Sequence, residues 1–300
     1  MNILTSNHDT SESKSENDAL SEWDRAVVLV FIFLISCMSL YYWFFWGDIW
    51  VPLLGLTSMV ILYTGGLSDQ AELYKPLRKL RNPLLEGSIV FLIFFDWILF
   101  IAPLIIDGIL QMIIGSIVFG FIIPYIFLIT YLGYPRKSLG LNEPKKGMNS
   151  SVIVVCSVLL LPILVRLFLS SDAHSTFFTP TVILTFLIGV IYLGFTVGFV
   201  EEFVFRGILQ NRISLHLRSR VLGLIITSSI FATMHVFAVM SGLEITPVNV
   251  GSSLLFAFMT RLPLGIILGI VWNESENILG VTLIHAINNI AFLVALLSGL

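Results

Sequence analysis

Residues 181–207 read TVILTFLIGVIYLGFTVGFVEEFVFRG. From Thr181 to Val200 no side chain is charged, and then Glu201, Glu202 and Arg206 follow almost at once. A run of about 20 apolar residues is what a helix needs to cross a hydrocarbon core of about 30 Å. In that medium the chain must satisfy its own backbone hydrogen bonds, which a helix does within one segment. The stretch predicts a spanning helix from Thr181 to Val204 that ends in polar groups. Gly194 and Gly198 lie four apart on a stripe that continues onto the two carboxylates, so a neighbouring helix can approach closely there. General glycine enrichment of membrane helices is the plainer account of the same pair.

The rest of the chain repeats the pattern. Of 300 residues, 57% are hydrophobic and 12% charged, against about 25% charged in soluble domains. A soluble globule is excluded. Apolar runs span Ala26 to Trp46, Trp50 to Leu67, Ser88 to Ile106, Ile109 to Leu132, Ser151 to Leu169, Val221 to Met240, Ser252 to Trp272 and Ile278 to Ser298. With Thr181 to Val204, the expectation is an all-α polytopic membrane bundle of about nine transmembrane helices. Gly265 and Gly269 repeat the four-residue spacing in the eighth run.

Residues 1–25 are rich in Ser, Asn, Glu and Asp, and they lack a basic start, a short apolar core and a small-residue cleavage site. They predict a disordered cytoplasmic tail rather than a secretory signal. Cys37 and Cys156 sit in separate apolar runs without metal or redox spacing, and both are expected to pack. The net charge is −3, and the 16 Lys and Arg fall in short loops rather than on one face. Nucleic acid is therefore not an expected partner; membrane lipids are.

Basic residues gather in three stretches: Lys75, Arg78, Lys79 and Arg81; Arg136, Lys137, Lys145 and Lys146; and Arg206, Arg212, Arg218 and Arg220. Nine alternating helices put all three on one side. By the positive-inside rule that side is cytoplasmic, with the N-terminus cytoplasmic and the C-terminus outside. The expected location is the plasma membrane.

Ionisable groups inside spans cost about 2.5–3.5 kcal/mol each on insertion scales and by default mark function. Glu202 and Arg206 are four apart, so a helix sets them on one face as an ion pair. Glu201 stays outside that pair and is placed to act as a general base. His235, in Phe231-Ala232-Thr233-Met234-His235, lies one turn after Phe231. A single histidine in an apolar helix is more often a packed residue, and Thr227, Ser228 or Ser229 could satisfy it. His285 and Asn289 are again four apart, so that two donors on one face could hold the oxyanion of a tetrahedral intermediate. An interhelical polar clamp is the plainer alternative.

Depth supplies a check. His285 stands about 10 Å in from the start of its span, which matches a Glu201 near its helix end. His235 comes about 21 Å after Val221, too deep to join them unless that helix starts later. Asp96, Arg166 and Arg261 fall outside these motifs; a pair between Asp96 and Arg261 is conceivable, and Arg166 reads as a snorkelling residue near the outer end.

Three motifs in this order, Glu201-Glu202 with Arg206, then Phe231 with His235, then His285 with Asn289, resemble the signature of the CPBP family. That family comprises type II (Glu-Glu) CAAX prenyl proteases and bacterial relatives in bacteriocin processing and self-immunity. The resemblance covers about Thr181 to Asn289. It implies a catalytic membrane domain over 151–300, preceded by variable helices and basic loops over 26–150. It further implies an intramembrane endopeptidase cutting a peptide or membrane-protein substrate near the cytoplasmic face. In that scheme Glu201 activates water, His235 helps hold that water or a metal, His285 and Asn289 stabilise the oxyanion, and Glu202 with Arg206 braces the site. Glu201, His235 and His285 could supply three ligands of a catalytic zinc, but there is no His-Glu-x-x-His, and the metal stays open. A non-enzymatic immunity or partner-binding protein on the same scaffold is the alternative.

Overall fold

The computed structural model describes residues 26–27, 29–37, 82–101, 109–141, 180–240 and 250–297. Every regular element among them is helical. The expected tail over 1–25, the expected spans over 50–67 and 151–169, and Arg166 and Cys156 lie outside the described residues.

Helix α1 covers 29–37. Helix α2 is Pro83–Asp96, continued by a wider π turn over Trp97–Ile101. Its start is set locally, since Asn82 accepts a hydrogen bond from the Leu85 amide at 3.2 Å and Pro83 takes a position whose missing N–H costs nothing. Helix α3 runs over 109–131 with π turns at Val118–Ile122 and Ile126–Tyr131, and a short 3-10 turn at Arg136–Leu139 follows it. Helix α4 runs unbroken over 180–217, passing through π turns at Gly194–Gly198 and Phe203–Gln210. Helices α5, Arg220–Met240, α6, Val250–Ser275, and α7, Ile278–Leu297, complete the bundle.

Among the described residues three helices are long and apolar enough to cross a membrane: Ile113–Tyr131, Leu187–Leu217 and Ser253–Ser275, with shorter apolar helices at Arg220–Val236 and Ile278–Asn289. Leu187, Ile191 and Phe195 form an outward stripe on α4, each 53–65% exposed. A surface of that kind is stable against hydrocarbon rather than water. The chain is an integral membrane protein.

The sixth span does not stop at Val204 as its sequence predicts. It continues to Leu217, because the two arginines that mark its end in the sequence are buried and matched by carboxylates. Arg206 meets Glu202 and Arg212 meets Glu86. Neither is a loop charge, which leaves Arg218 and Arg220 as the basic residues at this end. Arg218 takes a left-handed φ of 54° to close α4, and the Ser219 hydroxyl accepts the Leu222 amide to open α5. Asp96 is exposed while Arg261 is buried, and no pair between them stands among the described residues.

Both glycine pairs serve close approach. A Cβ on Gly194 would lie 3.5 Å from Ala286 Cβ, and one on Gly198 would lie 3.4 Å from the Thr282 carbonyl and 3.7 Å from His285 Cβ. The stripe thus docks α4 on α7. On α6, a Cβ at Gly265 would stand 3.1 Å from Ser228 Cβ, and one at Gly269 would stand 3.0 Å from Leu224 Cγ. This second stripe docks α6 on α5.

Candidate active site

Because Gly194 and Gly198 seat α4 directly on α7, the carboxylates that follow them face His285. The His285 Nδ1 lies 2.7 Å from Glu202 Oε1, and its Nε2 lies 3.8 Å from Glu201 Oε2. A carboxylate accepts only, so the short contact fixes the proton on Nδ1 and leaves Nε2 toward Glu201. Glu202 and His285 are essentially shielded from solvent, while the Glu201 side chain is 17% exposed. Glu202 is therefore the shielded carboxylate and Glu201 the reachable one.

Arg206 Nε stands 3.2 Å from Glu202 Oε2 with both side chains at 0% exposure. The approach is a charge contact without hydrogen-bond geometry, since neither atom has a hydrogen bond. The guanidinium lies over the Phe231 ring, 5.2 Å from its centroid, where the negative face of the ring attracts it.

Phe231 is the hub. Its ring meets His235 at 4.4 Å, His285 at 5.8 Å edge-on and Phe205 at 5.1 Å edge-on, centroid to centroid. The spacing Phe231-x-x-x-His235 thus puts an aromatic wall between the two histidines. His235 Nδ1 donates to the Phe231 carbonyl at 2.8 Å, so in the neutral ring Nε2 carries the lone pair. The hydroxyls that sequence offered as its partners do not make this bond, and Ser229 donates instead to the Ile225 carbonyl.

His235 joins the cluster even though α5 starts at Arg220, earlier than the depth argument required. The error lay in α4. Glu201 is 16 residues from the end of α4 at Leu217, and His235 is 15 residues from the start of α5 at Arg220, so both lie about 23 Å from the turn between them. His285 agrees as well. Trp272 Nε1 donates to Asn211 Oδ1 at 3.1 Å, which levels the end of α6 with a point nine residues beyond Glu202. Helix α7 begins just after it, and seven residues bring His285 about 10 Å back toward the carboxylates.

Asn289 is half-buried one turn beyond His285 on α7, and no contact ties it to the carboxylates among the described residues. Nor do any three His, Cys, Asp or Glu side chains among them stand close enough to hold a metal ion. Glu201, His235 and His285 do not form a ligand set in this arrangement.

A second buried cluster escaped the sequence reading. Tyr134 donates to Glu86 Oε2 at 2.7 Å, Arg212 Nε lies 3.7 Å from the same oxygen, and the Arg212 guanidinium stacks 4.0 Å over the Tyr134 ring. Glu86 sits in the first turn of α2, before the apolar run. Burial raises its carboxyl above the ordinary value of 4.5, against the lowering effects of the Tyr134 hydroxyl and Arg212. Nothing periodic links positions 86, 134 and 212, so only the folded chain displays the cluster.

Residues 183–291 match a family model described as Rce1-like, Type II CAAX prenyl endopeptidase Rce1-like. Comparison with curated proteins and with solved structures gives no match.

Proposed function

The chain belongs to the CPBP family of membrane endopeptidases through an Rce1-like domain over residues 183–291, and we propose that it hydrolyses a peptide bond with a water activated by Glu201. The observation that supports this reading is the convergence of Glu201, Glu202, Arg206, His235 and His285 around Phe231 inside the bundle. Glu201 is the reachable carboxylate and takes a proton from water as its oxygen attacks the scissile carbonyl carbon. His235 Nε2 accepts the water's other hydrogen and orients it. His285 and Asn289, one turn apart, face the developing oxyanion. With Nδ1–H committed to Glu202, the His285 ring donates from Nε2 only when it carries both protons. Glu201 then returns its proton to the leaving amine.

Glu202 and Arg206 act through other groups: the carboxylate orients His285, and the guanidinium stands against that carboxylate. The donor set gives no ready metal site, so no step is routed through one. We place the N-terminus in the cytoplasm and the chain in the plasma membrane; with the carboxylates about 23 Å from the turn that carries Arg218 and Arg220, cleavage falls inside the bundle rather than at the cytoplasmic face. A reporter fused after Leu300 tests this orientation; an external signal is expected, and a cytoplasmic one overturns it. The chemistry is tested by comparing peptides from cells that carry the wild type, Glu201→Gln, His235→Ala or His285→Ala. Each variant should insert and fail to process, and normal processing by Glu201→Gln would sink the assignment.

A further inference from the structure

Five hydroxyls on these helices satisfy themselves. Ser36, Thr196, Ser229, Thr233 and Thr260 each donate to the carbonyl one turn back at 2.8–2.9 Å. Thr227 and Ser228 do not, although both are at 0% exposure. Their Oγ atoms have no hydrogen-bond partner among the described residues, and the same holds for Gln210 Oε1 and for Arg206 Nη1 and Nη2. Folded proteins pair nearly all such atoms, with protein or with ordered water.

These groups form a column. Helix α5 runs back along α4, so that Leu224 meets Gly269 beside Gln210 and Phe231 meets Arg206. Thr227 and Ser228 stand between those two levels, on the turn before Phe231. One end of the column is the Glu202–Arg206 pair. At the other end Gln210 Nε2 donates to Asn273 Oδ1 at 2.9 Å, and Asn273 lines a polar cavity of about 20 Å³ with Asn211, Arg212 and Arg220. That is room for about one water.

We propose that Gln210, Thr227, Ser228 and Arg206 line a single-file water path from the polar cavity at the Arg220 end to the carboxylates. The inference rests on the hydrolytic reading for its purpose. Each turnover consumes one water, whose oxygen bonds the carbonyl carbon while a proton ends on the amine, and the column offers a polar route for that water from the Arg220 end in addition to the opening at Glu201. The orphaned donors and acceptors are the groups that can pass water along.

The test uses the full chain in lipid nanodiscs, mixed rapidly into H2-18O and exposed to millisecond X-ray hydroxyl-radical labelling. Phe231 and Phe94 are both buried, at 0% and 1% exposure, but only Phe231 borders the column. Phe231 is expected to acquire 18O at least fivefold faster than Phe94. In Thr227→Val with Ser228→Ala that excess should vanish, and Thr227→Ser should keep it. Equal labelling of the two rings in the wild type overturns the path. So does a double variant that is more heat-stable and labels Phe231 as before, the result expected of hydroxyls left in a dry core. Glu201→Gln should label like the wild type. A wild type that labels but cleaves nothing sinks the enzymatic reading alone, and one that cleaves without labelling sinks the path alone.

Discussion

Replacing Arg206 by Met removes one half of an ion pair whose two side chains are both at 0% exposure. Among the described residues the carboxylate of Glu202 then keeps His285 alone as a partner, 2.7 Å away. Breaking a buried pair in this way costs about 3–5 kcal/mol, because the remaining charge is left uncompensated. Removing both charges together is often nearly neutral, since the desolvation of the pair is relieved as well. Glu202→Gln with Arg206→Met should therefore recover most of the loss. For a chain of this size the single variant lowers Tm by on the order of 10 °C. Thermal unfolding of the purified protein in mild detergent, across the four members of the double-mutant cycle, measures this directly. A single variant within about 1 kcal/mol of the wild type, or a double variant less stable than the single, would refute the pairing argument. Activity should not follow stability, because the double variant loses the carboxylate that orients His285.

Two further expectations come from packing and from charge. Gly198→Ala should insert and process like the wild type, since its Cβ makes ordinary contacts at 3.4 and 3.7 Å. Gly198→Leu should wedge α4 from α7, cost about 1–3 kcal/mol and reduce processing about 100-fold through a displaced His285; processing assays on membranes with matched protein levels decide it. Glu86 gives a pH signature. Its folded pKa is raised by burial, so the native state binds the proton more tightly, and stability falls as pH climbs from about 4.5 toward neutrality. Glu86→Gln should flatten that slope in detergent unfolding scans, and an unchanged slope would remove Glu86 as its cause.

Much of this arrangement is legible in the residues alone because membranes impose simple rules. The runs around 113–131, 187–217 and 253–275 announce helices by length and apolarity, and the four-residue spacings put Glu202 with Arg206 and Gly194 with Gly198 on shared faces. What fails is the reading of charge as punctuation. Arg206 and Arg212 look like the end of a span, yet each is matched by a carboxylate, one from the same helix and one from position 86, so α4 continues for another 13 residues after Val204. That single misreading produces the conflict over His235, which disappears once the helix is long enough. The contact of Trp272 with Asn211 and the cluster of Glu86, Tyr134 and Arg212 join segments far apart in the chain. Local periodicity carries no trace of such pairings, and the same holds for Phe231 as the ring shared by both histidines.

In the proposed mechanism Glu201 carries the chemistry and Glu202 supports it. The most direct measurement is the rate of peptide hydrolysis by the purified protein in lipid nanodiscs, using a substrate identified from cells with and without the protein, for wild type and Glu201→Gln at matched thermal stability. A loss of more than about 1,000-fold is expected, on the scale seen when an acid–base group is removed from a hydrolytic site. Hydrolysis by Glu201→Gln within tenfold of the wild type would contradict it.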